Sequence, residues 1–138
     1  MRPVDGYALI FPHMAEHNLI GDRGEQLACR FLEEQGLEVV ERNWRHGRHE
    51  LDIIARQGRE LVIVEVKTRS SDQHGQPAEA VKKGKRGLMV KAANAYVLAT
   101  GCELGLRFDI VSVIMHPNKP YIHHIKDAFY PTLHERPY

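Results

Sequence analysis

The run Leu61-Val62-Ile63-Val64-Glu65-Val66-Lys67-Thr68-Arg69 constrains this chain more than any other segment. A short apolar run next to a turn signal, rich in β-branched residues, reads as a buried strand. Side chains alternate across a strand, so Val62, Val64 and Val66 take one face while Ile63, Glu65 and Lys67 take the other. A carboxylate and an ammonium are thereby delivered together into an apolar sheet. That costs several kcal/mol unless the charges are paired or hold an ion. The preceding run, Glu50-Leu51-Asp52-Ile53-Ile54-Ala55, is separated from it by Gln57-Gly58-Arg59, a hairpin turn. Antiparallel pairing across that turn would bring Asp52 and Glu65 into one carboxylate cluster, with Glu50 on the same face as Asp52.

The remaining pattern fills in an α/β fold. Residues 14–35 are helical in spacing, with Leu27, Ala28, Phe31 and Leu32 on one stripe, and Gly36 stands where a helix stops. Strand-like runs follow at 37–43, 50–56 and 61–68. A polar loop over 70–77 leads to a second helix over 79–99, with Val81, Leu88, Ala92, Ala95 and Leu98 on its apolar line and Thr100-Gly101 at its end. A strand over 106–114 and a short apolar piece over 121–125 complete the order. We expect helices packed on a mixed central sheet in two or three layers. Residues 1–20 read as an N-terminal extension, 21–129 as a single domain and 130–138 as a tail. A length of 138 residues suits one core.

A net charge of only +1 excludes a histone-like polycation, so any nucleic-acid contact must come from a local basic patch. Two cysteines, Cys29 and Cys102, are too few for a disulfide framework or a cysteine zinc cage, which points to a reducing cytoplasm. No apolar run is long enough to span a membrane, and Asp5 and Pro12 interrupt the only segment resembling a signal peptide. No glycine-rich phosphate loop is present, which argues against ATP use. His13 to His17 matches an inverted zinc-protease pattern but sits in the extension with no further ligand in view. His46 with His49, and His123 with His124, lack zinc spacing and read as surface histidines. Cys29 reads as a packed thiol, and Arg107 with Asp109 as a structural ion pair.

Two nearby carboxylates repel each other, and a hard divalent cation relieves that repulsion while keeping several waters and accepting phosphate oxygens. Lys67 beside them could orient or help deprotonate a water. The plainer alternative is a structural Glu65–Lys67 ion pair. Glu25, on the core-facing stripe of the first helix, is either an acid favoured by the helix dipole or an additional member of the cluster. Arg42, Arg45 and Arg48 gather with His46 and His49 ahead of Asp52, while Arg69 follows Lys67. Lys82, Lys83, Lys85, Arg86 and Lys91 form a basic run with no intervening acid. Such side chains suit phosphate contacts. Trp44 is placed to stack on a base or to pack in the core.

Gly-Asp-Arg-Gly-Glu-Gln-Leu-Ala at 21–28, Arg-Asn-Trp-Arg at 42–45, the Asp52 and Glu65 strands, the Gly75, Pro77, Glu79-Ala80-Val81 and Lys85 run, Leu-Arg-Phe-Asp-Ile-Val-Ser-Val at 106–113 and His-His-Ile-Lys-Asp-Ala-Phe at 123–129 occur in order and spacing. Together they resemble the YraN-like family of small bacterial proteins, over about residues 20–129. That family looks like a member of the restriction-endonuclease-like PD-(D/E)XK superfamily, near the Holliday junction resolvases. The resemblance implies an αβββαβ core, the motif on Asp52, Glu65 and Lys67, and Glu25 as the first-helix acid. The proline of the motif's name is absent, since Leu51 precedes Asp52. The expectation is a nuclease using Mg²⁺ or Mn²⁺ held by Asp52 and Glu65, with Arg45, Arg48, Arg69 and Lys85 on nucleic acid. DNA is favoured over RNA, branched substrates fit the junction-resolvase likeness, and a homodimer would supply two sites for two strands. The alternatives are a nucleic-acid-binding module of repair or recombination without cleavage, and a protein-interaction domain whose polar cluster is only structural.

Overall fold

The computed structural model describes residues 16–70 and 83–130. The first 15 residues of the extension read at 1–20, the loop over 71–77 and most of the tail lie outside the described residues, as do His13, Val81 and Lys82, while residues 16–20 of that extension are already helical. Helix α1 spans Glu16–Glu34, followed by strands β1 (Glu38–His46), β2 (His49–Gln57) and β3 (Glu60–Ser70). Helix α2 (Lys83–Thr100) leads to β4 (Gly105–Met115) and β5 (Tyr121–Phe129). The sheet runs β1-β2-β3-β4-β5, with β3 and β4 parallel and every other neighbouring pair antiparallel. This is the restriction-endonuclease-like αβββαβ core, with β5 added at the edge.

Local chemistry accounts for the joints. His46 pairs with His49 and Gln57 with Glu60, leaving two-residue loops that begin with Gly47 at φ 62° and Gly58 at φ 59°. Glycine at the first loop position is what a tight type II′ hairpin asks for. Helix α1 stops at Gly36, where the Leu37 amide donates to Leu32 O and the Gly36 amide to Glu33 O, both at 3.0 Å. Those two bonds form a Schellman cap, sealed by contact between Leu32 and Leu37 in the same core.

Each sheet face buries one helix. Under α1, Ala28 and Leu32 pack on Ile53, Ala55, Val62, Val64, Val111 and Val113. Under α2, Met89, Val90, Ala92, Ala93 and Tyr96 pack on Ile54, Ile63, Phe108, Ile110 and Phe129. The α2 stripe expected from the sequence is therefore corrected among the described residues: Leu88 is 52% and Leu98 84% exposed, while Ala92 of the same stripe is buried. Helix α2 is apolar on most sides, so periodicity alone does not select a face, and small Ala92 and Ala93 let it lie close to the sheet. Cys29 is buried as expected, and burial pushes its thiol pKa up.

Arg107 and Asp109 form the expected ion pair, bidentate with both bonds at 2.9 Å. His124 departs from expectation: it is not a surface histidine but donates from Nε2 to Asp109 Oδ2 at 2.7 Å, while the Asp127 amide donates to Oδ1 at 3.1 Å. Burial opposes ionisation of Asp109, yet His124, Arg107 and that amide together hold its pKa below the ordinary value. The network pins β5 to β4 at the irregularity between Phe108 and Ile110. No helix among the described residues is long and apolar enough to cross a membrane.

Candidate active site

The ladder between β2 and β3 ends at the Ile53–Val64 pair, although β2 continues to His49 alongside β1 and β3 continues to Ser70 alongside β4. The sheet therefore forks, and Asp52 sits in the crotch. In place of the next ladder bond, Asp52 Oδ2 accepts the Val66 amide at 2.9 Å. The pleat slips at the same point, because Leu51 and Ile54, an odd interval apart, both join the core under α2. On the other side of Asp52, Arg42 and Trp44 pair with Ile53 and Leu51, while Asn43 adopts φ 53° between them. Asparagine is among the few residues that tolerate that conformation.

Glu65 faces the fork from β3 and is only 4% exposed. Its Oε2 accepts a hydrogen bond from Lys85 Nζ at 2.5 Å, and Lys67 Nζ stands 4.0 Å from the same oxygen. Burial first, and then the Glu65 charge, push the Asp52 carboxyl up to about 8, although the Val66 amide and Lys85 pull the other way. Glu25 approaches from α1, which lies unusually close to the sheet: a Cβ on Gly24 would fall 2.0 Å from Thr68 Oγ1. Asn43 Nδ2 donates to Glu25 Oε1 at 2.9 Å and Arg42 lies 3.7 Å from it. Burial raises the Glu25 pKa, with Asn43 and Arg42 working against it. Its charge is felt at Asp52, so the three acids named from the sequence share one electrostatic neighbourhood.

The basic residues divide. Lys85 is inside the site, on Glu65, and Arg86 lies over the Phe129 ring at 5.4 Å. Arg45 faces its cross-strand partner Glu50 at 3.5 Å, while Arg69 lies on β3 two residues beyond Lys67. Arg48 is exposed at the β1–β2 loop and, with His46, Gly47, His49, Leu88 and Lys91, lines a surface groove of about 270 Å³. His49 Nε2 is buried with no hydrogen-bond partner among the described residues. Burial and the Lys85 charge lower its pKa, so the ring is neutral near pH 7. Trp44 is half-buried, parallel to the His46 ring within 4° and edge-on to Tyr96. Sequence reasoning missed Lys85 as the partner of Glu65 and Asn43 as the partner of Glu25. Neither carries a local signal, because both contacts arise only when elements dock.

Among the described residues, no three potential metal-ligating side chains converge. Asp52 and Glu65 are each anchored through one oxygen, which leaves Oδ1 and Oε1 as the donors on offer to a cation. Such a pair, in which burial and the Glu65 charge raise the Asp52 pKa, fits Mg²⁺, which takes one or two carboxylates and fills its shell with water and phosphate oxygens. It does not fit an all-protein cage.

The family model described as "Uncharacterised protein family UPF0102" matches residues 24–113, which include every acid of the site. A "UPF0102 protein" of Bacteroides thetaiotaomicron is 50% identical over 120 residues, covering 87% of this chain and 99% of the relative. "UPF0102 protein FP2501" of Flavobacterium psychrophilum is 47% identical over 117 residues, covering 85% and 98%. A "UPF0102 protein" of Porphyromonas gingivalis is 42% identical over 118 residues, covering 84% and 87%.

Proposed function

The chain belongs to the uncharacterised protein family UPF0102, and from the chemistry of its site we propose a metal-dependent nuclease that hydrolyses phosphodiester bonds in DNA, branched or otherwise structured DNA in particular. The observation that carries this reading is the fork, where the buried Glu65 carboxylate and the half-buried Asp52 carboxylate share one electrostatic neighbourhood, with lysines on Glu65. Asp52 and Glu65 would hold Mg²⁺ or Mn²⁺, which supplies Lewis-acid polarisation of phosphate oxygens when bound. Lys67, part-exposed at the mouth, orients the attacking water and offsets charge building on the phosphate. Asn43 and Arg42 hold Glu25 on the other side of Asp52, from where it accepts a hydrogen bond from that water. Arg45, Arg48 and Arg69 lie on or beside the strands of the fork, where they can contact backbone phosphates. The two free cysteines suit a reducing cytoplasm, and a homodimer would match a substrate with two strands to cut.

The test is cleavage of linear, single-stranded and four-way-junction DNA with Mg²⁺, Mn²⁺ or chelator. Metal-dependent products are expected, abolished by Asp52→Ala and reduced about 10²–10⁴-fold by Lys67→Met. Full activity of Asp52→Ala would overturn the assignment. A second reading, a DNA-binding module without cleavage, is favoured by one contact: Lys85 at 2.5 Å already neutralises Glu65 without an ion. DNA binding with no product under any metal would select it.

A further inference from the structure

The groove between the β1–β2 loop and α2 is separate from the carboxylate pair yet close to it. His49 lies three residues before Asp52 on β2, about 10 Å along the strand, and it feels the charges of Lys85 and Glu65. The groove combines three features that rarely meet on a surface. Leu88, 52% exposed, gives it an apolar wall on α2. The His49 side chain belongs to its lining, and the buried Nε2 of that ring has no partner among the described residues. Arg48 and Lys91 give it a basic rim, and neither forms a salt bridge among the described residues, in contrast to Arg42 and Arg45. Beside it, the His46 ring is backed by Trp44 in a parallel stack.

An apolar wall and an unsatisfied ring nitrogen beneath two cations suit a flat heteroaromatic ring that carries a phosphate. A duplex does not present such a ring, because its bases are stacked inside. We infer that this groove is a subsite for one unpaired nucleobase of the substrate strand, with its phosphate against Arg48 and Lys91. His49 Nε2 hydrogen-bonds an edge of the base while Leu88 and His46 cover its faces. A volume of about 270 Å³ is below the usual range for drug-sized ligands and matches a single base better than a larger one. The subsite would make the enzyme selective for DNA that departs from the regular duplex near the cut. This inference rests on the nuclease reading above.

The experiment measures affinity by fluorescence anisotropy in chelator at fixed salt. Its probes are a blunt duplex, the same duplex with a single-stranded arm, and that armed duplex with an abasic residue at the first arm position. The wild-type protein is expected to bind the armed duplex about tenfold tighter than the blunt one, a change within the reach of one stacked base. The abasic substitution should remove the preference. Leu88→Ser, a change on the surface, and His49→Ala should each bring the ratio of affinities toward unity. Equal affinity for armed and blunt DNA, an abasic arm bound as tightly as the intact one, or a ratio unchanged in both variants would each overturn the subsite. If metal-dependent cleavage persists in those cases, the nuclease reading survives and only the subsite falls. Absence of both cleavage and DNA binding would overturn the two together.

Discussion

At the scale of single residues, Asp52 is held against its own chemistry. Its carboxyl titrates near 8 in the folded chain against an ordinary 3.8, because burial and Glu65 both penalise its charge. Between those values the native state binds a proton that the unfolded state has released. Stability therefore falls as pH rises from about 4 to about 8. Replacing Asp52 by Asn keeps an acceptor for the Val66 amide and removes the penalty. Asp52→Asn is expected to raise the melting temperature, by an amount that is near zero at pH 4 and grows to several degrees by pH 8. Melting curves across that range check it, and an equal gain at every pH would contradict the assignment. Under the proposed function, the strain is that of a group whose charge a bound cation would compensate.

At the scale of elements, the approach of α1 to β3 sets where Glu25 can reach. A methyl group on Gly24 would lie 2.0 Å from Thr68 Oγ1 and 2.9 Å from Thr68 Cβ, so rotating the threonine cannot clear it. Gly24→Ala is expected to cost about 1–3 kcal/mol by lifting the helix. Thr68→Ala in the same chain should return part of that loss, as denaturant titrations of both variants would show. What the sequence makes legible at this scale follows from the range of the interactions. The strand pattern, the Gly58 hairpin and the Gly36 stop are local, and each stands close to where it was read. Asp52, Glu65 and Lys67 are legible for the same reason, since one short turn and one alternation bring them together. The buried face of α2, the full length of β5 and the burial of His124 are not legible, because packing between distant segments decides them. The fork itself breaks the alternation that made its acids readable.

At the scale of the molecule, the sheet is assembled in two ways. Strands β1, β2 and β3 are joined by two-residue loops, whereas the parallel β3–β4 ladder closes only after the chain has passed through α2. Closing a long connection has to be offset before its contacts return anything, so the local meander has the head start in folding. Ile53→Val, within the meander, is expected to slow folding, while Val113→Ala on β4 should chiefly speed unfolding. Stopped-flow chevrons of the two variants test that order, and the reverse pattern would contradict it. If the meander does form first, Asp52 and Glu65 meet before Lys85 arrives on its helix. For that interval the nascent sheet carries two facing acids with only Lys67 nearby, and the last helix to dock arrives as their counter-charge.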